Sequence, residues 1–304
     1  MTTSIRPRIV VIAGPTGSGK TDLSIELARR YHVPVLSADS RQIYRGLAIG
    51  TAQPSAEQLA SAEHHFIASH DITEDFNCGE YEVRALALLD RLFRDHDTVV
   101  VVGGSGLYIQ ALCDGMDDLP TADPELRAEL TRRIESEGVA VLAEELRQLD
   151  PDYWEVVDRS NPARIQRALE VCLQTGRPYS QQRSGRPGER PFDIIKIGVD
   201  LPREVLYDRI NRRVDAMMAA GLEAEARRVY EHRRLNALQT VGYKELFEYF
   251  DGTIGLDEAV ELIKRNSRRY AKRQLTWFRR DPKIRWFAPD DIDGITAYID
   301  NPRC

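Results

Sequence analysis

Residues 14–21 read Gly-Pro-Thr-Gly-Ser-Gly-Lys-Thr, a spacing suited to gripping a phosphate chain. Gly14, Gly17 and Gly19 let successive backbone N–H groups turn toward an anion, and Pro15, Thr16 and Ser18 complete the loop. Lys20 supplies a mobile positive charge, and the Thr21 hydroxyl can hold Mg2+. An apolar, strand-like run (9–13) precedes the loop and a helix-like run (22–30) follows, so a helix dipole adds to the attraction. The chain is expected to bind a di- or triphosphate here. A second reactive group is Asp39, which follows Val35 and Leu36 and so stands at the mouth of a strand. It can act as a general base, or it can cap a helix beginning near Ser40; spacing alone leaves both open. An ATP-hydrolysing loop of this type wants an aspartate at the end of a neighbouring apolar strand, but the run 99–102 ends in Gly103-Gly104.

Elements that would position these groups are short β-branched runs at 9–13, 34–38, 98–103 and 194–201, with helix-like stretches at 22–30 and 81–94. Strand, helix, strand, helix, strand predicts an α/β fold: a parallel sheet of the P-loop NTPase type, flanked by helices, with active groups at the carboxyl ends of its strands. Polar helices without strands follow at 124–137, 139–148 and 162–173. A stretch rich in Gly, Pro, Arg and Ser, 175–191, then reads as a return linker. Residues 119–191 are therefore expected to be an inserted all-helical domain, with 1–118 and 192–304 forming the catalytic core. Helices resume at 203–220, 222–233, 243–249 and 256–280.

With 304 residues, 42% of them hydrophobic, the chain can bury one large core and a smaller one. It shows no membrane span and no secretion signal, and Cys78, Cys113, Cys172 and Cys304 lack paired spacing. Free thiols in a reducing cytoplasm are the expectation. Net charge is −6, yet the segment 264–285 holds ten basic residues against Asp281 alone. Lys264, Arg268 and Lys272 share a helical face beside Arg265, Arg269 and Arg273, which predicts a cationic ridge for a phosphate backbone. Trp277 and Phe278 read as core in so amphipathic a helix. His64, His65 and His70 lack partners at ligand spacing and are expected to shape a loop near the substrate.

Several strings, in order, resemble the tRNA dimethylallyltransferase family, also called tRNA isopentenyltransferases or IPP transferases. They are 14–21, the Ala-Asp-Ser-Arg-Gln-Ile-Tyr-Arg-Gly of 38–46 with Ile-Gly-Thr-Ala at 49–52, His64-His65, and Gly-Gly-Ser-Gly-Leu-Tyr at 103–108. Further along come Arg-Ile-Gln-Arg-Ala-Leu-Glu-Val at 164–171, Val-Gly-Tyr-Lys-Glu at 241–245, and Ala-Lys-Arg-Gln-Leu-Thr-Trp-Phe-Arg at 271–279. The resemblance implies transfer of a dimethylallyl group from its diphosphate to N6 of the adenosine 3′-adjacent to the anticodon, with release of pyrophosphate. It implies that Lys20, Thr16, the loop amides, Mg2+ at Thr21 and either Arg209 or Arg213 neutralise the leaving group, and that Asp39 takes the amine's proton. It also implies tRNA contacts at Asp39, Ser40, Arg41, Gln42, Ser105 (threonine in most relatives), Arg127, Gln166, Arg167, Ala168, Leu169 and Glu170. Gly242, Tyr243, Lys244, Lys272, Arg273, Gln274 and Arg279 fit the same docking surface for the anticodon stem-loop. The expected molecule is a cytoplasmic, bacterial-type monomer. Transfer to a free adenine nucleotide is the nearest alternative, disfavoured because a small acceptor needs neither insertion nor basic helix; a kinase or ATPase comes third.

Overall fold

The computed structural model describes residues 6–117, 119–183 and 188–301, so Cys304 lies outside the described residues. Six strands, β1 (Arg8–Ala13), β2 (Val35–Ser37), β3 (His64–His65), β4 (Thr98–Gly103), β5 (Asp193–Val199) and β6 (Ile284–Phe287), form one sheet in the order β3-β2-β4-β1-β5-β6. Every pairing among them is parallel. This is the α/β architecture that the alternating pattern predicted. The two edge strands, β3 and β6, are additions to it: a pair of histidines carries no strand signature, whereas Ile-Arg-Trp-Phe at 284–287 is rich in strand-favouring residues but short and half within the basic segment.

β1 reads as an unbroken apolar run because both faces of a parallel sheet are covered. Ile9 and Val11 enter the core on one face, while Val10 and Ile12 enter the core on the other. Burying a side chain of this size contributes roughly 1.5–3 kcal/mol, so the central strands anchor the sheet.

The missing acid at the end of β4 has a steric cause. A Cβ at Gly103 would stand 2.1 Å from the carbonyl oxygen of Ala38, because β4 and the chain leaving β2 converge there. The Ala38 amide donates to the Val102 carbonyl at 2.7 Å, which holds that approach. No side chain fits at this position.

The chain divides into two compact units, residues 1–114 with 189–304, and residues 115–188. Within the second, the helices Pro124–Glu137, Pro151–Val156 and Pro162–Thr175 each start with proline behind a capping Asp123, Asp150 or Asn161. That pairing presets the first helical φ and satisfies free N–H groups. With the helix Val139–Leu149, they close around Leu130, Leu142, Leu146, Ile165 and Leu169. Among the described residues, no helix is long and apolar enough to cross a membrane.

Candidate active site

Gly17 and Gly19 adopt φ of +82° and +92°, the left-handed region that favours glycine. The loop therefore winds tightly between β1 and the helix Lys20–Tyr31, and that helix presents its N-terminus to the loop. Gln274, from the long helix Leu256–Phe278, braces the loop from the side. The Thr16 amide donates to Gln274 Oε1 at 2.9 Å, and Gln274 Nε2 donates to the Gly104 carbonyl at 2.9 Å.

One cavity gathers Thr16, Lys20, Thr21, Asp39, Arg213 and Gln274, with Ile210, Val214, Met217 and Ile263 as an apolar wall. Its walls shield Lys20 from water and push the ammonium's pKa down to about 8; Asp39 opposes that shift and Arg213 adds to it. Desolvation likewise lowers the pKa of Arg213, against the pull of Asp39. An arginine nonetheless keeps its charge at neutral pH. Its guanidinium donates to Thr16 Oγ1 at 3.3 Å. Arg209 borders the loop from outside: a Cβ at Gly19 would lie 3.6 Å from its Nη1. Both arginines adjoin the loop, and of the two Arg213 lines the cavity.

Asp39 occupies the carboxyl end of β2. Its Oδ1 accepts from the amides of Arg41 (2.9 Å) and Gln42 (3.3 Å), which caps a turn; no helix begins at Ser40. The carboxylate also lines the cavity beside Lys20. Tyr270, whose pKa is pushed up to about 12 by burial and by Asp39, remains a neutral phenol.

A second cleft of about 410 Å³ opens next to the first and is lined by Ser40, Ser105, Leu107, Arg273 and Trp277. Arg41, Tyr270 and Gln274 line both spaces, so they meet beside Asp39. Ser105 Oγ accepts from the Ser40 amide at 2.9 Å and donates to Ser40 Oγ at 3.1 Å, tying the turn after β2 to the one after β4. Arg41 is anchored on the Asn236 carbonyl at 2.6 Å. Trp277 packs against the core and also walls this cleft, seated over Gly106, whereas Phe278 is 2% exposed and is core.

Several residues expected on the tRNA side face elsewhere. Tyr243 is wholly buried under Gly50 and donates to Glu225 Oε1 at 2.7 Å, and Gly242 beside it is buried too. Gln274 both braces the loop and lines the two spaces. Gln42 Nε2 holds the carbonyls of Thr51 and Ala52 at 3.3 and 2.8 Å. In the helical unit, Ala168 and Leu169 belong to the core, and the buried Glu170 accepts from Arg127 Nε at 2.8 Å and Nη2 at 2.9 Å, with Arg167 3.4 Å away. They sit on the inward side of an amphipathic helix, which a motif read as a string does not reveal. Gln166 donates to the Arg127 carbonyl at 3.0 Å, at the unit's surface.

The cationic ridge is narrower than its spacing suggests. Lys264 pairs with Asp215 (2.7 Å) and Glu261 (3.0 Å), and Arg268 donates to Asn211 at 2.5 Å, so that face packs on the helix Arg203–Ala219. Arg265, Arg269, Lys272 and Arg273 are exposed, as is Lys244, while Arg279 is exposed but paired with Asp200 at 3.0 Å. Missed altogether was Glu225, whose carboxylate also accepts the amides of Ile49 (3.0 Å) and Gly50 (2.8 Å) and thereby shapes one edge of the phosphate cavity. An isolated glutamate in a polar helix carries no signal of that task.

A family model described as IPP transferase matches residues 42–281. A tRNA dimethylallyltransferase of Cytophaga hutchinsonii is 51% identical over 97% of this chain and 97% of its own length. A tRNA dimethylallyltransferase 1 of Porphyromonas gingivalis is 53% identical over 96% of this chain and 97% of its own. Among solved structures, the tRNA isopentenylpyrophosphate transferase of Bacillus halodurans superposes with a TM-score of 0.71 at 38% identity, covering 96% of this chain and 95% of that one. A eukaryotic dimethylallyltransferase acting on tRNA reaches a TM-score of 0.80 at 26% identity, covering 97% of this chain and 76% of its own.

Proposed function

This chain belongs to the IPP transferase family, and from that premise we propose how its residues carry out dimethylallyl transfer to tRNA. The donor is dimethylallyl diphosphate and the acceptor is N6 of the adenosine next to the anticodon on its 3′ side. One observation carries this reading: a single cavity joins a phosphate loop and two half-buried cations to an apolar wall, with a carboxylate in the same lining. A diphosphate ester with a short hydrocarbon tail matches both ends.

The diphosphate lies in the loop against Lys20 and Arg213, and the prenyl tail lies against Ile210, Val214 and Met217. As the allylic C–O bond breaks, charge grows on the pyrophosphate, where the loop amides and both cations already point. Thr21 is the ligand offered to magnesium, which when bound would neutralise further charge on the leaving group. The adenine enters through the second cleft, past Trp277 and Leu107, after leaving its stack. Its amine is a weak nucleophile, so holding it against the allylic carbon matters as much as removing its proton. Asp39 accepts that proton, with its orientation held by the amides of Arg41 and Gln42. Exposed Arg265, Arg269, Lys272 and Arg273 bind the RNA backbone, and Arg127 and Gln166 supply contacts from the helical unit. The enzyme works where tRNA is made and used, in the cytoplasm.

Incubation with dimethylallyl diphosphate and either unmodified tRNA or AMP, followed by mass analysis, tests the reading. A prenyl-sized mass gain on an anticodon-loop adenosine is expected. Prenylated AMP as the main product would reverse the assignment of the acceptor.

A further inference from the structure

Beside the phosphate loop, separate from the cleft proposed for adenine and adjoining the cavity of Lys20 and Asp39, lies a small recess of about 20 Å³. Lys20, Thr21, Ser37, Asp39, Gln42 and His64 contribute to its wall. Two of these residues carry a polar atom, Ser37 Oγ and His64 Nε2, that is buried without a hydrogen-bond partner among the described residues. Ser37 is 3% exposed. Leaving such an atom unsatisfied costs about 1–3 kcal/mol, so two around one small space call for an explanation.

The state of the imidazole follows from its other nitrogen. His64 Nδ1 lies 2.7 Å from the Ala62 carbonyl oxygen, which can only accept, so Nδ1 carries the proton. In the neutral ring Nε2 then carries a lone pair that no described residue uses. Ser37 adds a hydroxyl that can donate or accept. The space is close to the minimum for one water, of order 10–15 Å³, and a buried water needs two to four polar partners. Ser37, His64 and the Thr21 hydroxyl supply such a set.

We infer that His64 and Ser37 are positioning residues that hold an ordered water against the hydration shell of the divalent cation bound at Thr21. The inference rests on the proposed role of Thr21. It gives the paired histidines separate uses: His64 lines the recess beside the phosphate loop, while His65 Nε2 lies 3.1 Å from Glu63 Oε1. It also accounts for β3, a strand of two residues whose register sets His64 opposite Val35, on the same sheet face as Ser37 two residues further along β2.

The test is calorimetric binding of inorganic pyrophosphate, with Mg2+ titrated from none to excess, to the wild-type chain, His64→Asn, His64→Gln, Ser37→Ala and Thr21→Val. Asparagine can keep the link to Ala62 but has no acceptor at the Nε2 position; glutamine places its amide oxygen there. The Mg2+ concentration for half-maximal enhancement should rise about 10-fold in His64→Asn, in line with losses from outer-shell changes at metal sites. It should rise less in Ser37→Ala and return toward wild type in His64→Gln, with metal-free pyrophosphate affinity unchanged throughout. Wild-type binding that depends on Mg2+ and on Thr21, together with an unshifted His64→Asn and Ser37→Ala, would overturn this inference alone. Wild-type affinity indifferent to Mg2+ and to Thr21→Val would overturn the Thr21 assignment and this inference with it.

Discussion

Glu170 in the helical unit and Lys20 in the sheet unit are both shielded from water, and their surroundings treat them in opposite ways. Glu170 is answered by two arginines in charge-assisted contacts, so its neighbourhood is complete without any ligand. Lys20 shares its cavity with a second cation, Arg213, and one carboxylate, and its charged form is held at a cost that lowers its pKa to about 8. A buried charge met by its counter-charges needs no ligand; a pair of like charges facing one carboxylate is poised for an anion.

Breaking the catalytic side of this contrast should have the largest effect. Asp39→Asn keeps the oxygen that caps the turn and removes the base, so single-turnover prenylation of tRNA should slow by roughly 10²–10⁴-fold. Pyrophosphate binding, measured calorimetrically, should hardly change. Binding abolished together with turnover would mean that Asp39 serves the turn and not the chemistry.

Lys20→Met should reduce prenyl transfer by about 10²–10³-fold, the scale for removing one group that stabilises developing charge. The same lysine predicts a pH dependence. Its charged form binds the anion and prevails below about 8, so pyrophosphate affinity should fall as pH rises through that value. Lys20→Arg, whose charge persists, should flatten that fall; a decline of equal size in both proteins would assign it to another group.

On the satisfied side, Glu170→Ala should cost about 1–3 kcal/mol of stability, because a hydrogen-bonded buried charge is removed and its arginines turn to solvent. Chemical denaturation should register the loss while pyrophosphate affinity holds. The smallest effect concerns the exposed cations. Replacing Arg269 and Arg273 with glutamine should weaken tRNA binding and reduce its log–log salt slope by about one for each RNA phosphate left without its arginine. Lys264→Gln, already paired within the protein, should leave the slope alone.

The winding of the glycine-rich loop was legible because it depends on neighbours in the chain: glycines at set spacing, an apolar run before and a helix after. The central strands were legible for a similar reason, since β-branched runs covered on both faces need no alternation. Tyr243, Ala168 and Leu169 turn into the core, which a motif read as a string does not reveal, because the string does not say which side of a helix a residue occupies. Lys264 and Arg268 were misjudged because their partners, Asp215 and Asn211, stand about fifty residues away on another helix.

The chain by itself determined a parallel α/β sheet, a tightly wound glycine-rich turn and a carboxylate at the mouth of the next strand in the chain, since each follows from local pattern and backbone preference. Only tertiary structure decided that Arg213 and not Arg209 lines the cavity, that Gly103 has no room for a side chain, and that Glu225 and Gln274 brace the site. Those outcomes depend on which remote surfaces come within a few ångströms of one another, and close packing settles that across the whole fold at once.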